Sequence, residues 1–344
     1  MNFPYKKSAF FFLFLVMSVG SFAQDFQFSQ FYNVPLYINP AFAGSLHNTR
    51  VGLHQRLQWP KLDAKYTTSV LSVDHYFNGA KSGVGLMVMQ DFQGGGMVSS
   101  SEIHLMYSYE MVLNKKFTFR PGIQLGYVSR RLAYAQLRYP HQYDNDQGMI
   151  YAQDPDINEQ WNRAKGYADV AAGGMLYSKN FWFGVASHHL NTPNQSFHAS
   201  SVSKLHTKVS FTSGYKIVLH KEVSMHHDKT EFSITPTAHY KFQGKSDQLD
   251  LGIYGAYNEF LVGIWYRGIP IKRYEDYIQA NESTIFFIGF KGQPFRFGYS
   301  YDYTISRLVR AGTGGSHEFN LTYVVNHKRV KKKKILKRLP CPSF

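Results

Sequence analysis

Among the 344 residues there is one cysteine, Cys341, close to the end of the chain. That rules out a disulfide framework within the chain and a lipid-anchored cysteine directly after a leader. Beyond the first two dozen residues no apolar run approaches the roughly 18–20 residues that a membrane helix needs. Catalytic signatures are missing too. No convincing Gly-x-Ser-x-Gly turn occurs, and Gly94-Gly95-Gly96 reads as a hairpin tip, so no glycine loop cradles a phosphate. His188-His189 and His226-His227-Asp228 are adjacent pairs; neighbours on a strand point to opposite faces and rarely chelate one ion, and in a loop, where they could, no supporting ligand set is visible. Asp144, Asp146 and Gly148 have the opening spacing of a calcium loop, but Pro155 stands where its closing Glu belongs. The expectation is a non-enzyme with no cofactor and no metal.

What is present begins with an export leader. Lys6 and Lys7 precede an apolar run from Ser8 to Phe22, and Ser21-Phe22-Ala23 before Gln24 has the form of a cleavage site, so 1–23 read as a signal peptide. An exported chain without a membrane helix is either a soluble domain or a membrane β-barrel. The mean hydropathy of −0.32 suits both, whereas an aromatic content of 17% favours a barrel with aromatic girdles.

Strand periodicity decides between them. Phe117, Phe119, Pro121, Ile123, Leu125 and Tyr127 share one face, and Thr118, Arg120, Gly122, Gln124 and Gly126 the other. The same alternation runs from Leu205 to Leu219, from Phe295 to Tyr303 and from Glu318 to Val325. These runs reach the roughly 9–11 residues of a membrane-spanning strand, longer than an ordinary strand of about 5–6. Tight turns at Asn78-Gly79, Asn114-Lys115, Lys179-Asn180, Asn258-Glu259 and Gly292-Gln293-Pro294 alternate with longer links at 93–99, 130–166, 191–203, 268–281 and 306–316. The alternation fails twice: 221–230 is long on the short side and 243–247 short on the long side. The prediction is an all-β, transmembrane antiparallel barrel of about 14 strands over 49–326. Its even strand count puts both termini in the periplasm.

Glu102, His104, Glu110, Arg120, Lys208, Lys216, Asp302, Glu318 and Asn320 fall on the polar faces and should line the lumen, pairing with one another. Residues 130–166 form the longest link, with Tyr143, Tyr151 and Trp161 suited to a protein contact. The formal net charge is +15. Setting aside the two leader lysines and the eight cations of Lys328, Arg329, Lys331, Lys332, Lys333, Lys334, Lys337 and Arg338 leaves +5. The charge is therefore local, a basic tail over 327–344 that follows the last strand into the periplasm. In an exported protein it suits an acidic partner or an anionic surface and not nucleic acid. Its Pro340-Cys341-Pro342-Ser343-Phe344 ending suits capture in a groove, with Cys341 as a free thiol or one half of an intermolecular disulfide.

Residues 24–48 read as a plug. Asp25 to Gly44 is aromatic and lacks strand alternation, with Asn39 as N-cap, Pro40 at the first helical position, Ala41 following and Gly44 as the stop. Phe28-Ser29-Gln30-Phe31-Tyr32, followed by Leu36-Tyr37-Ile38-Asn39-Pro40-Ala41-Phe42-Ala43-Gly44, resembles the start of mature PorP/SprF-family proteins, and Leu339 to Phe344 resembles that family's end. The resemblance implies a non-enzymatic outer-membrane component of the type IX secretion and gliding machinery of Bacteroidetes. It also implies three partners: outer-membrane lipid, periplasmic components of the machine, and a secreted surface protein. Asn39, Pro40 and Ala41, the loop aromatics Tyr143, Tyr151 and Trp161, and Lys331, Lys332, Lys333, Lys334, Cys341 and Phe344 of the tail are the candidate partner contacts. Asn-Pro-Ala here is also similar to the N-terminal hatch of the 14-stranded FadL-type fatty-acid transporters, so passive transport of small or hydrophobic molecules is the alternative. A surface adhesin is a third reading.

Overall fold

The computed structural model describes residues 25–133, 143–144, 148–149, 164–223, 229–275 and 278–325. Its body is a closed antiparallel barrel of 14 strands. In chain order they are β1 (Thr49–Gln58), β2 (Tyr66–Phe77), β3 (Ser82–Gln93), β4 (Val98–Tyr109), β5 (Thr118–Leu132), β6 (Ala164–Tyr177), β7 (Phe181–His188), β8 (Lys208–Tyr215), β9 (Lys229–Gln243), β10 (Ser246–Tyr257), β11 (Phe260–Glu275), β12 (Ile278–Lys291), β13 (Phe295–Thr304) and β14 (Ser316–Val325). Each strand pairs with its neighbour in sequence, and β1 closes the ring on β14 from Thr49↔Val325 to Gln58↔Ser316. Full closure leaves no backbone edge unpaired, the condition a sheet must meet in lipid.

The period of two sorts the side chains as read from the sequence. Ile123, Leu125 and Tyr127 of β5 and Phe295, Phe297 and Tyr303 of β13 face outward, while Arg120, Gln124, Ser300 and Asp302 are buried inside. Thr49 and Val325 lie at the end that carries the tight turns, as an even number of strands requires.

Two strands continue past a one-residue gap. After β4 the chain resumes pairing with β5 at Met111–Val112 in unchanged register, and after β8 it resumes pairing with β9 at Ile217–Val223, keeping the register through Val218 and shifting it between Val218 and His220. The gap residues send their backbone N–H elsewhere: Glu110 to Lys81 O at 2.8 Å and Lys216 to Asn180 O at 2.7 Å, both in neighbouring tight turns. Lys216, expected in the lumen, instead pairs with Glu231 in a half-exposed site at that gap.

Two further boundaries differ from the sequence reading. The alternation at Leu205–Thr207 is not strand, because Leu205 donates its N–H to Pro193 O within the preceding loop and pairing starts at Lys208. Conversely, the long link expected at 268–281 is a continuation of β11 and β12, whose register shifts at Arg267/Gly268, Ile269/Arg273 and Arg273/Glu275. Pro270 has no N–H for a ladder, and these irregularities absorb it.

Candidate functional site

Residues 25–48 run lengthwise through the lumen. They form three short turns in succession: Phe31–Asn33 and Pro40–Phe42 in 3₁₀ conformation, with Pro35–Ile38 α-helical between them. Asn39 caps the last turn, accepting from Ala41 N–H at 2.9 Å, with Pro40 at its first position and Gly44 in the left-handed region at φ +66°. The prolines and the cap make this a sequence of closed turns, which offers no strand to the wall. Its side chains must satisfy themselves against the inward faces of the barrel.

Glycines on those inward faces let it approach. A Cβ at Gly122 would stand 2.4 Å from Ala41 N, one at Gly83 2.0 Å from Ala43 O, and one at Gly173 2.3 Å from Asn39 Oδ1. In this cradle Asn39 Nδ2 donates to Gly174 O (3.2 Å) and Val185 O (3.0 Å), and Ser108 Oγ donates to Ala43 O (2.7 Å). The opposite wall supplies an apolar seat. Tyr32 stacks on Trp265 with ring centroids 5.1 Å apart and meets Phe287 edge-on, while Phe31 stacks on His239 at 5.0 Å. Such pairs contribute about 0.5–1.5 kcal/mol each beyond their buried area.

Three ionic clasps hold the segment along its length. Nearest the tight-turn end, Gly44 N–H donates to Asp74 Oδ2 (2.8 Å), whose other oxygen takes Arg50 Nε (2.6 Å), and His47 meets Glu110 at 2.6 Å. Further up, Glu318 receives Ser29 N–H (2.6 Å) on one oxygen and Gln30 N–H (2.9 Å) on the other. Arg56 contacts both Glu318 and Asp302, and Arg267 spans Asp250 (2.8 Å), Asp302 (3.3 Å) and Ser29 Oγ (3.0 Å). These arginines and acids are almost fully buried. Buried charges of this kind are tolerable only because each is paired and hydrogen-bonded.

The uppermost clasp is Asp25. Its carboxylate meets His189 Nε2 at 2.8 Å and Lys208 Nζ at 2.7 Å, and Gln243 Nε2 donates to it at 3.1 Å. His189 stands just past β7, with Asp169 at 2.8 Å on its other ring nitrogen. Burial alone would lower the His189 pKa, but carboxylates on both nitrogens outweigh it and raise the value to about 9. Burial likewise works against an ionised Asp25, yet His189 and Lys208 hold its carboxyl well below the usual range. Lys208 also lies 4.5 Å from the Tyr37 ring centroid. His189, Lys208 and Gln243 all belong to the long-loop end. The described chain therefore starts high in the lumen and descends to β1 at the opposite end.

Above the plug lies a cavity of about 590 Å³. Asp25, Phe26, Gln27 and Tyr37 make its floor, and Asp91, Glu102, Gln124, Tyr167 and His188 line it from the strands.

Of the residues singled out from sequence, Asn39, Pro40 and Ala41 come together, but against the barrel's own wall: Asn39 is 1% and Ala41 0% exposed. A partner could reach them only by displacing the plug. Tyr143 begins a two-residue strand, Tyr143–Asp144, paired with Gly148–Met149. Tyr151, Trp161, Lys331, Lys332, Lys333, Lys334, Cys341 and Phe344 lie outside the described residues, as do the leader and the second histidine pair. Glu102, His104, Arg120, Lys208, Asp302, Glu318 and Asn320 face the lumen, and many pair with the plug in place of one another. The sequence reading missed Arg56 and Arg267, and named Asp25 and His189 without their pairing, because these roles arise from contacts 20 to more than 250 residues apart. The available signal was glycine on a polar strand face, as at Gly122. Among the described residues, no group of three or more His, Cys, Asp or Glu side chains is placed to hold a metal.

A closed barrel with an apolar exterior, a polar interior and its own N-proximal segment in the lumen is an outer-membrane β-barrel of the plugged class. The family model described as "Type IX secretion system membrane protein PorP/SprF" matches residues 20–323, so the chain belongs to the PorP/SprF family. Its place is accordingly the outer membrane, as a component of type IX secretion. No curated protein matches it. Solved structures of similar shape include the Acinetobacter baumannii outer membrane protein Omp33 (TM-score 0.45, 8% identity, 82% of this chain and 100% of that one). They also include the P. putida toluene transporter TodX (TM-score 0.42, 11% identity, 86% and 95%) and a Pseudomonas aeruginosa FadL homologue (TM-score 0.39, 11% identity, 85% and 94%).

Proposed function

We propose that this chain is a non-enzymatic docking barrel of the type IX machinery. It binds a secreted surface protein through its outer loops and links to periplasmic components through its tail. The observation that carries the reading is the plug: a lumen clasped along its length by the chain's own residues suits a barrel used for its two faces and not for a conduit. On the outer side the contacts would come from residues 130–166, with Tyr143, Tyr151 and Trp161 as aromatic anchors. On the inner side the chain leaves β14 at the tight-turn end, and in this reading the tail continues from there into the periplasm. There Lys331, Lys332, Lys333 and Lys334 offer charge to an acidic partner, and Cys341 to Phe344 an apolar end.

The alternative, passive transport in the manner of FadL-type proteins, would need the plug to move. The cavity above it sets Asp25, Asp91, Glu102, Asp169 and Glu282 among its aromatic and aliphatic side chains, so a hydrophobic solute entering it would have to strip water from carboxylates. The test is affinity capture of the tagged protein from gently solubilised native outer membrane, with mass spectrometry of what accompanies it. A large secreted protein or periplasmic machine components are expected. A barrel recovered alone after crosslinking, together with steady conductance of the purified protein, would favour transport.

A further inference from the structure

The cavity above the plug has an imbalance of partners. Its cations are committed: Lys208 and His189 to Asp25, and Arg56 to Glu318 and Asp302. Arg130 turns to Gln195 and lies 5.7 Å from the Phe197 ring centroid. Its acceptors are not committed in the same way. Asp91 accepts from Thr68 Oγ1 (2.6 Å) and Gln93 Nε2 (2.8 Å), both neutral, and Glu102 meets His104 Nε2 at 2.9 Å. Among the described residues no Lys or Arg lies within 4 Å of either carboxylate. The pairing of β3 with β4 sets Met89 opposite Glu102 and Asp91 opposite Ser100, so the two acids are diagonal neighbours on one inward face.

A third acceptor stands beside them. A carboxylate only accepts, so in its neutral form His104 donates from Nε2 to Glu102 and receives the Gln124 Nε2–H at Nδ1, 3.0 Å away. This relay fixes the amide of Gln124 and leaves its Oε1 without a donor, although the residue is only 3% exposed and lines the cavity. His188, 4% exposed, lines the same cavity two strands further round from Gln124 and has neither ring nitrogen hydrogen-bonded. A buried acceptor left without a donor is destabilising until one arrives.

We propose that this cavity is a receptor for a guanidinium or ammonium group, held by Asp91, Glu102 and Gln124 Oε1 between the aromatic walls of Tyr37, Tyr66 and Tyr167. At about 590 Å³ it takes more than one side chain. A basic stretch of an exported polypeptide fits it, as does a free polyamine of the medium. The inference rests on lumen geometry alone, so it can fail while the docking reading stands, and the reverse.

Titration calorimetry of the purified full chain at low salt, with the peptide Gly-Arg-Gly-Arg amide, its Glu counterpart and spermidine, tests it. The basic peptide should bind, the acidic one should not, and D91N/E102Q should weaken binding at least tenfold. Because both changes keep shape, the variant should retain the gel migration of the folded barrel. Gln124→Met, which deletes the free acceptor together with the donor to His104 Nδ1, should weaken binding severalfold. Competition by spermidine at equal concentration points to a free amine as the occupant, and its failure to compete points to a polypeptide. Equal binding of both peptides, or undiminished binding in D91N/E102Q, overturns the proposal.

Discussion

If the glycine cradle seats the plug, filling it should unseat the plug. In G83A/G122A each new methyl meets backbone and not a flexible side-chain tip: Ala43 O and Ala41 N, at 2.0 and 2.4 Å. Neither atom can give way without moving the 3₁₀ turn it belongs to. Overpacking of this kind costs about 1–3 kcal/mol per site. Displacing the turn also removes the Asn39 bonds to Gly174 O and Val185 O and the Ser108 bond to Ala43 O, each contributing about 1 kcal/mol net. Those bonds are lost from a displaced plug in the parent as well, so the difference made by the variant is the strain alone. Two sites at about 2 kcal/mol each give about 4 kcal/mol, which shifts the balance between seated and displaced plug by roughly a thousandfold. Two readouts apply: conductance across a planar bilayer, and maleimide labelling of S45C in a C341S background, since Ser45 is buried when the plug is seated. Both should rise in G83A/G122A and remain low in its parent. A correctly folded double variant with parental conductance and protected Cys at position 45 would refute the cradle.

Glu318→Ala removes the acceptor of two plug N–H groups and the partner of Arg56, leaving buried charge behind; a loss of about 3–5 kcal/mol is expected, read as a lower temperature of band-shift loss on gels. For His189 the folded pKa is raised, so its contribution is complete below the unfolded value near 6.5 and fades as pH climbs through about 9. Heat stability of the barrel should accordingly fall between pH 7 and 10, and H189Q should flatten that fall. Deleting residues 328–344 should leave the barrel in the outer membrane and stop secretion of its client; unchanged secretion would sink the tail's role.

Much of the barrel is legible in the chain because a half-buried strand writes its period locally. Ile123, Leu125 and Tyr127 alternate with Gln124 and Gly126 whatever the rest of the molecule does. The capped turn at Asn39 is equally local, since cap, proline and closing glycine lie within six residues. The ends of β11 and β12 escaped because Gly268 and Pro270 look like breakers, and only the opposite strand shows that bulges absorb them. The clasps were illegible for a different reason. Nothing near Asp25 announces His189 or Lys208, and nothing near Ser29 announces Glu318, because those pairings exist only once a ring has formed. Asn39, Pro40 and Ala41 were noticed for their pattern, and the same pattern serves the turn that buries them.

That ring closes between β1 and β14, and the segment it encloses is the stretch directly upstream of β1. A stopper added from outside can arrive after its bottle is made; this one is spliced to the rim and lies the length of the neck. The wall's carboxylates are matched to that segment, Glu318 to the Ser29 and Gln30 N–H groups and Asp74 to the Gly44 N–H, so the empty ring is an incomplete molecule: its inner surface finds its full set of partners only in the stretch of chain that leads into it.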